Sequence, residues 1–105
     1  MFFEVGDDNV LAIYVSEAAV LADCEAVDVE NGDYQFFDDA GQSLKPEFTV
    51  PNEHGNSLGI IPWVISGEYR LVRTRRSVTN LEEILPSLAG IEENPYFSNM
   101  ADVQV

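Results

Sequence analysis

One histidine, one cysteine and a large surplus of carboxylates are the side chains of this sequence with chemical potential. His54 lies in a stretch from Pro51 to Gly59 that is rich in glycine and asparagine, and Cys24 or a serine would have to reach it through the fold. Nucleophilic catalysis needs an activating base at hydrogen-bond distance, and the known nucleophile turns leave a local signature. No such signature surrounds Cys24 or any serine, so His54 reads as a solvated loop residue. Cys24, at an apolar helical position, reads as a small buried hydrophobe. Paired carboxylates can act as general acid and base. With 19 Asp and Glu in 105 residues, however, some pair reaches the required separation by chance. Asp28, Glu30, Asn31 and Asp33 have the composition of a calcium loop but neither the EF-hand order nor its terminal glutamate. A glycine-rich phosphate loop and a dinucleotide fingerprint are also missing. The expectation is therefore a non-enzyme with no cofactor and no metal.

Charge says more than any motif. The 19 acids face five Lys and Arg, for a formal net charge of -14 and a pI near 4.1. Residues 1–50 hold twelve of the acids and a single base, Lys45. Such a surface repels a nucleic-acid duplex or an anionic membrane, both of which are bound through Lys and Arg. It attracts a basic protein through a long-range field that raises encounter rates. The lone cysteine excludes an intramolecular disulfide and fits a reducing cytoplasm. No cationic start followed by a long apolar run reads as a signal peptide, and no stretch approaches a membrane span.

The elements that must position these groups follow from turn and cap chemistry. Met1 to Val5 and Val10 to Val15 read as two strands, joined at Gly6-Asp7-Asp8-Asn9 into an antiparallel hairpin. Ser16 is an N-cap for a helix over about 17–26, with Val20, Cys24 and Val27 as its buried stripe. Asn31-Gly32 is a reversal signal that suits a helix exit or a type I′ turn. Strands are expected at 33–38 and 42–50, reversing at Asp38-Asp39-Ala40-Gly41, with Pro46 at an edge or bulge. Residues 51–59 read as an exposed loop. Ile60 to Ile65, interrupted by Pro62, reads as an edge strand or an extended segment, with Trp63 contributing a large buried area. Glu68 to Thr74 is a further strand. Asn80 caps a second helix from Leu81 to about 89, which Pro86 is placed to divide or end early and Gly90 to terminate, and the residues after Asn94-Pro95 read as a loose tail. The chain is long enough for one hydrophobic core, and 46% of it is apolar. The whole predicts a single acidic α+β domain over residues 1–105, with a mostly antiparallel sheet of about four to six strands and two helices.

Two clusters remain. Arg70, Arg73, Arg75 and Arg76 are expected to pair with the abundant carboxylates, Arg73 and Arg75 on one strand face and Arg70 and Arg76 on the other. Asp28, Glu30, Asp33, Tyr34, Asp38 and Asp39, interleaved with Phe36 and Phe37, combine negative potential with rigid aromatic bodies. That mixture suits a protein-binding surface, and turn positions such as Asp33, Asp38 and Asp39 should tolerate charge reversal.

The stretch from Glu25 to Leu44, with Asn94-Pro-Tyr-Phe97 far downstream, resembles small acidic bacterial immunity proteins, including those of contact-dependent growth inhibition systems. The resemblance implies a toxin inhibitor that binds a cognate basic toxin domain, such as an RNase, and occludes its active site in the cytoplasm. It carries over no contact residues. Two alternatives share the composition: a nucleic-acid mimic that inhibits a DNA-binding protein, and a small hydrolase using His54 or a carboxylate pair.

Overall fold

The computed structural model describes residues 1–74 and 79–104. Strands β1 (Phe2–Val5) and β2 (Val10–Tyr14) form the expected antiparallel hairpin, with Phe3 opposite Ile13 and Val5 opposite Leu11. Its turn is closed by Asn9 N, which donates to Gly6 O at 3.1 Å. Ser16 caps α1 (Glu17–Asp23), its Oγ accepting from Ala19 N at 3.2 Å. The single helix expected over 17–26 is corrected: Cys24 and Glu25 are extended, and a second helix, α2 (Ala26–Glu30), starts afresh after them. That break turns Ala26 and Val29 inward, so they join Val20 and Cys24 in the buried stripe while Val27 is only half-buried. Gly32, at φ 78, ends α2 and donates to Val29 O at 3.0 Å.

Strand β3 (Gln35–Phe37) returns beside β1, and β4 (Ser43–Val50) pairs with β3 through the predicted turn, where Gly41 has φ 77. β3 pairs with β4 only as far as Leu44, which leaves one flank of Pro46 open, where a missing N–H is tolerated. The loop expected over 51–59 is corrected. Residues Glu53–Ser57 form β5 and pair antiparallel with β6 (Ile61–Ile65) as a separate two-stranded ribbon. Its turn has Leu58 at φ 56 and Gly59 at φ 71, with Ile60 N donating to Ser57 O at 3.2 Å, the backbone of a type I′ hairpin. Strand β7 (Glu68–Arg73) then pairs with β4, with a register shift between Phe48 and Val50.

The second helix ends early at Pro86. α3 (Leu81–Ile84), capped by Asn80 Oδ1 accepting from Glu82 N at 2.9 Å, passes into a 3-10 turn at Leu85–Ser87 that contains Pro86. Gly90 starts a two-residue strand, β8 (Gly90–Ile91), parallel to β2. The C-terminal segment is tied down, not loose: Asn94 Oδ1 accepts from Tyr96 N and Phe97 N at 2.8 Å, Asn99 Oδ1 accepts from Ala101 N at 3.0 Å, and Val103 is buried.

The main sheet has six strands in the order β7-β4-β3-β1-β2-β8, antiparallel except for the last pair, in an α+β arrangement. Successive side chains alternate across it, so the adjacent pair Phe36-Phe37 serves two cores. Phe36 packs with Val20, Cys24, Ala26, Val29, Leu44, Tyr69 and Leu71 beneath α1 and α2. Phe37 packs with Phe3, Val5, Leu11, Leu81 and Val103 on the opposite face. The β5–β6 ribbon joins neither cluster. The molecule measures 52 × 29 × 22 Å, with a radius of gyration of 15.3 Å. A compact chain of this length would have about 13 Å.

Candidate functional site

The segment chosen from its acidity divides on folding. Asp28 lies half-buried on α2, Asp33 is exposed in the loop before β3, and Asp39 is exposed in the β3–β4 turn. Glu30 is exposed, yet its carboxylate is already engaged: it accepts from Asn52 Nδ2 and lies 3.1 Å from His54 Nε2. The Asn52 bond, followed by His54, holds Glu30 below the usual carboxylate range. Asn52 also donates to Ala26 O at 3.0 Å and accepts from Gly67 N at 2.6 Å. This group ties the root of the β5–β6 ribbon to α2, and His54, its side chain 57% exposed, is solvated as expected while contacting Glu30.

Asp38 is 6% exposed, so its side chain does not belong to a contact surface. Its Oδ1 accepts from Ala40 N and Gln42 N, both at 2.9 Å, building the β3–β4 turn. Its Oδ2 lies 3.3 Å from Arg73 Nε, close enough for charge pairing although among the described residues no hydrogen bond reaches that oxygen. Arg70 reaches Glu47 at 2.7 Å directly across β4 and β7. The pairing expected of the arginine cluster therefore holds at Arg70 and Arg73, while Arg75 and Arg76 lie outside the described residues.

Tyr34 leads to a different place. Its ring sits 5.9 Å from that of Phe36, and it lines a cavity of about 360 Å³ together with Glu4, Gly6, Asp7, Asp8, Val10, Tyr14, Asp23, Cys24 and Glu92. Strand alternation places Glu4 there. Phe3 and Val5 point to one core, so Glu4, opposite Ala12 and Phe36, must point to the helical side. Glu4 is 6% exposed, and no donor among the described residues hydrogen-bonds to its carboxyl. Burial, then the charges of Asp8, Glu92 and Asp23, push its pKa up to about 7. A methyl group at Gly6 would stand 3.3 Å from Glu4 Oε1 and 3.2 Å from Asp8 Oδ1, so the glycine lets both carboxyls close over the turn.

The neighbouring groups are poor nucleophiles. The Cys24 thiol is pushed up to about 11 by burial and then by the charge of Glu4, so it stays protonated near neutrality. Tyr14 donates to Asp23, and burial followed by that bond raises its pKa. Sequence reasoning missed this cavity, although one signal was available: a glutamate inside an apolar strand, between Phe3 and Val5, marks a polar group at a buried position.

The β5–β6 ribbon carries the opposite surface. Leu58 is 88% exposed, Ile60 80%, and Ile61, Val64 and Ile65 are also exposed. Trp63, expected to be buried, is 42% exposed and lies across Gly55, where a methyl group would meet its ring at 2.3 Å.

Among the described residues, no three His, Cys, Asp or Glu side chains stand close enough to hold a metal ion, and no helix is long and apolar enough to cross a membrane. No family model matches the chain, and no curated protein or solved structure matches it significantly.

Proposed function

We propose that this chain is an immunity-type binding protein that captures a basic protein domain, a nuclease toxin, and neutralises it by covering its active site. The observation that carries this reading is uncompensated charge. Arg70 and Arg73 are already paired, and among the described residues no ion pair engages Asp7, Asp8, Asp23, Asp28 or Asp33. A net charge of -14 then remains available to steer a cationic partner. Carboxylates presented to a nuclease occupy the positions that substrate phosphates would take, so occlusion is both steric and electrostatic. Asp28, Asp33 and Asp39, with Asp7 and Asp8 of the β1–β2 turn, are the acids best placed for that role. Asp38 and Glu30 instead hold the fold around them.

The test is co-expression with the protein encoded immediately upstream of this chain. The neighbour alone should arrest growth and degrade nucleic acid, and the pair should grow normally and co-purify. A neighbour that is harmless, or that kills equally well in the presence of this chain, would overturn the reading.

A further inference from the structure

The cavity at the β1–β2 turn combines three properties that together specify a ligand class. It is anionic: among the described residues its lining includes Glu4, Asp7, Asp8, Asp23 and Glu92 and no Lys, Arg or His. At its wall lies Glu4, a residue more than nine-tenths buried whose carboxyl has no hydrogen-bond donor among the described residues and is left to face the cavity. Its remaining walls are the rings of Tyr14 and Tyr34 and the side chain of Val10, surfaces against which an alkyl stem or a flat cation packs.

These features exclude most other occupants. An anion is repelled by the carboxylates of Asp7, Asp8, Asp23 and Glu92. A metal ion lacks a set of three side chains close enough to ligate it. A neutral apolar molecule would bury Glu4 further without giving it a donor. An organic cation satisfies every group: its N–H donors meet Glu4 and Asp8, and its stem lies on Tyr34 and Val10.

We infer that this cavity is the receptor for one basic side chain, an arginine or lysine, projecting from the protein partner. This deepens the binding function proposed above and rests on it for the identity of the donor. Entry of the cation would convert Glu4 from a neutral, unpartnered acid into an ionised, hydrogen-bonded one, releasing a proton where Glu4 was protonated. Buried charge-assisted pairs of this kind, rimmed by aromatic rings, are the arrangement in which single interface residues dominate affinity.

The experiment uses the intact chain and two blocked amino acids, N-acetyl-arginine methylamide and its neutral norleucine counterpart, followed by amide NMR. Blocked arginine should cause saturable shifts at Glu4, Gly6, Asp8 and Tyr34 with millimolar affinity, and norleucine should not. Glu4→Gln should weaken that binding at least tenfold. Asp8→Asn, which keeps the oxygen that accepts from Val10 N, should weaken it several-fold while the fold is unchanged. Absence of saturable shifts, or equal binding to Glu4→Gln in a folded protein, would overturn the assignment. Spermidine binding a hundredfold tighter than blocked arginine would overturn it in favour of a free polyamine. If the upstream neighbour binds Glu4→Gln as tightly as the parent, the cavity is not the partner's anchor, although the proposed function stands. If blocked arginine binds as expected but the neighbour does not bind at all, the cavity's chemistry stands and the proposed function fails.

Discussion

Strand β6, Ile-Pro-Trp-Val-Ile, is as apolar as β1, Phe-Phe-Glu-Val, yet every residue of β6 is exposed while Phe3, Glu4 and Val5 are buried. β1 lies inside a sheet covered on both faces, by α1 and α2 on one side and by α3 and the C-terminal segment on the other. Among the described residues β6 pairs with β5 alone, and all five of its residues are exposed. Burial of a strand is thus set by what lies above and below it. Its own composition can be overruled in both directions, leaving isoleucine in water and drawing a glutamate inside.

The largest effects should come from the covered sheet. Phe36→Ala removes a fully buried ring that touches Tyr34 and Tyr69, and is expected to cost about 3–5 kcal/mol in chemical denaturation. A loss under about 1 kcal/mol would mean that the core beneath α1 and α2 is looser than described.

Glu4 should give the next largest effect, with a defined pH signature. Its folded pKa of about 7 lies above the ordinary 4.5, so the folded state holds the proton more tightly than the unfolded state. The resulting stability is fully present below pH 4.5 and is lost as pH rises through 7, a total of about 3 kcal/mol. Glu4→Gln, which cannot ionise, should match the parent near pH 4.5 and exceed its stability by up to about 3 kcal/mol at pH 8. Denaturation of both proteins at the two pH values measures this, and a stability difference independent of pH would remove the buried acid from the account.

Asp38 and Asp39 are neighbours in sequence that should separate by about 2 kcal/mol. Asp38→Ala strips the Ala40 and Gln42 amides of their acceptor and Arg73 of its partner, whereas Asp39→Lys changes an exposed turn residue and should stay within about 0.5 kcal/mol. The smallest effect belongs to the ribbon tip: Leu58→Ser should leave stability within about 0.5 kcal/mol, because the side chain is solvated before and after. A larger loss there would show that the tip packs against something.

Much of the fold was legible because its signals are local. Ser16 and Asn80 cap helices through their own side chains, and Gly32 and Gly41 take the positive φ that their turns require. The misreadings have equally specific causes. Two extended residues at Cys24 and Glu25 split a helix whose propensities are continuous. Leu58, a residue that rarely adopts positive φ, forms a type I′ turn in a segment whose composition reads as loop. β8 exists only because β2 offers it an edge, which no local pattern in Gly90-Ile91 announces. At the candidate site, the acidity of residues 28–39 was plain, but which carboxylates were already engaged depended on Asn52, His54 and Arg73, all distant in sequence. Expected turn positions made Asp38 and Asp39 look interchangeable, and only the turn geometry separates them.

The central claim is that charge on this surface guides a basic partner, and it is tested most directly by stopped-flow association with the upstream-encoded protein at salt concentrations from about 50 to about 500 mM, which shortens the screening length several-fold. The association rate should fall at least about tenfold over that range while the dissociation rate changes much less. An association rate indifferent to salt would contradict it.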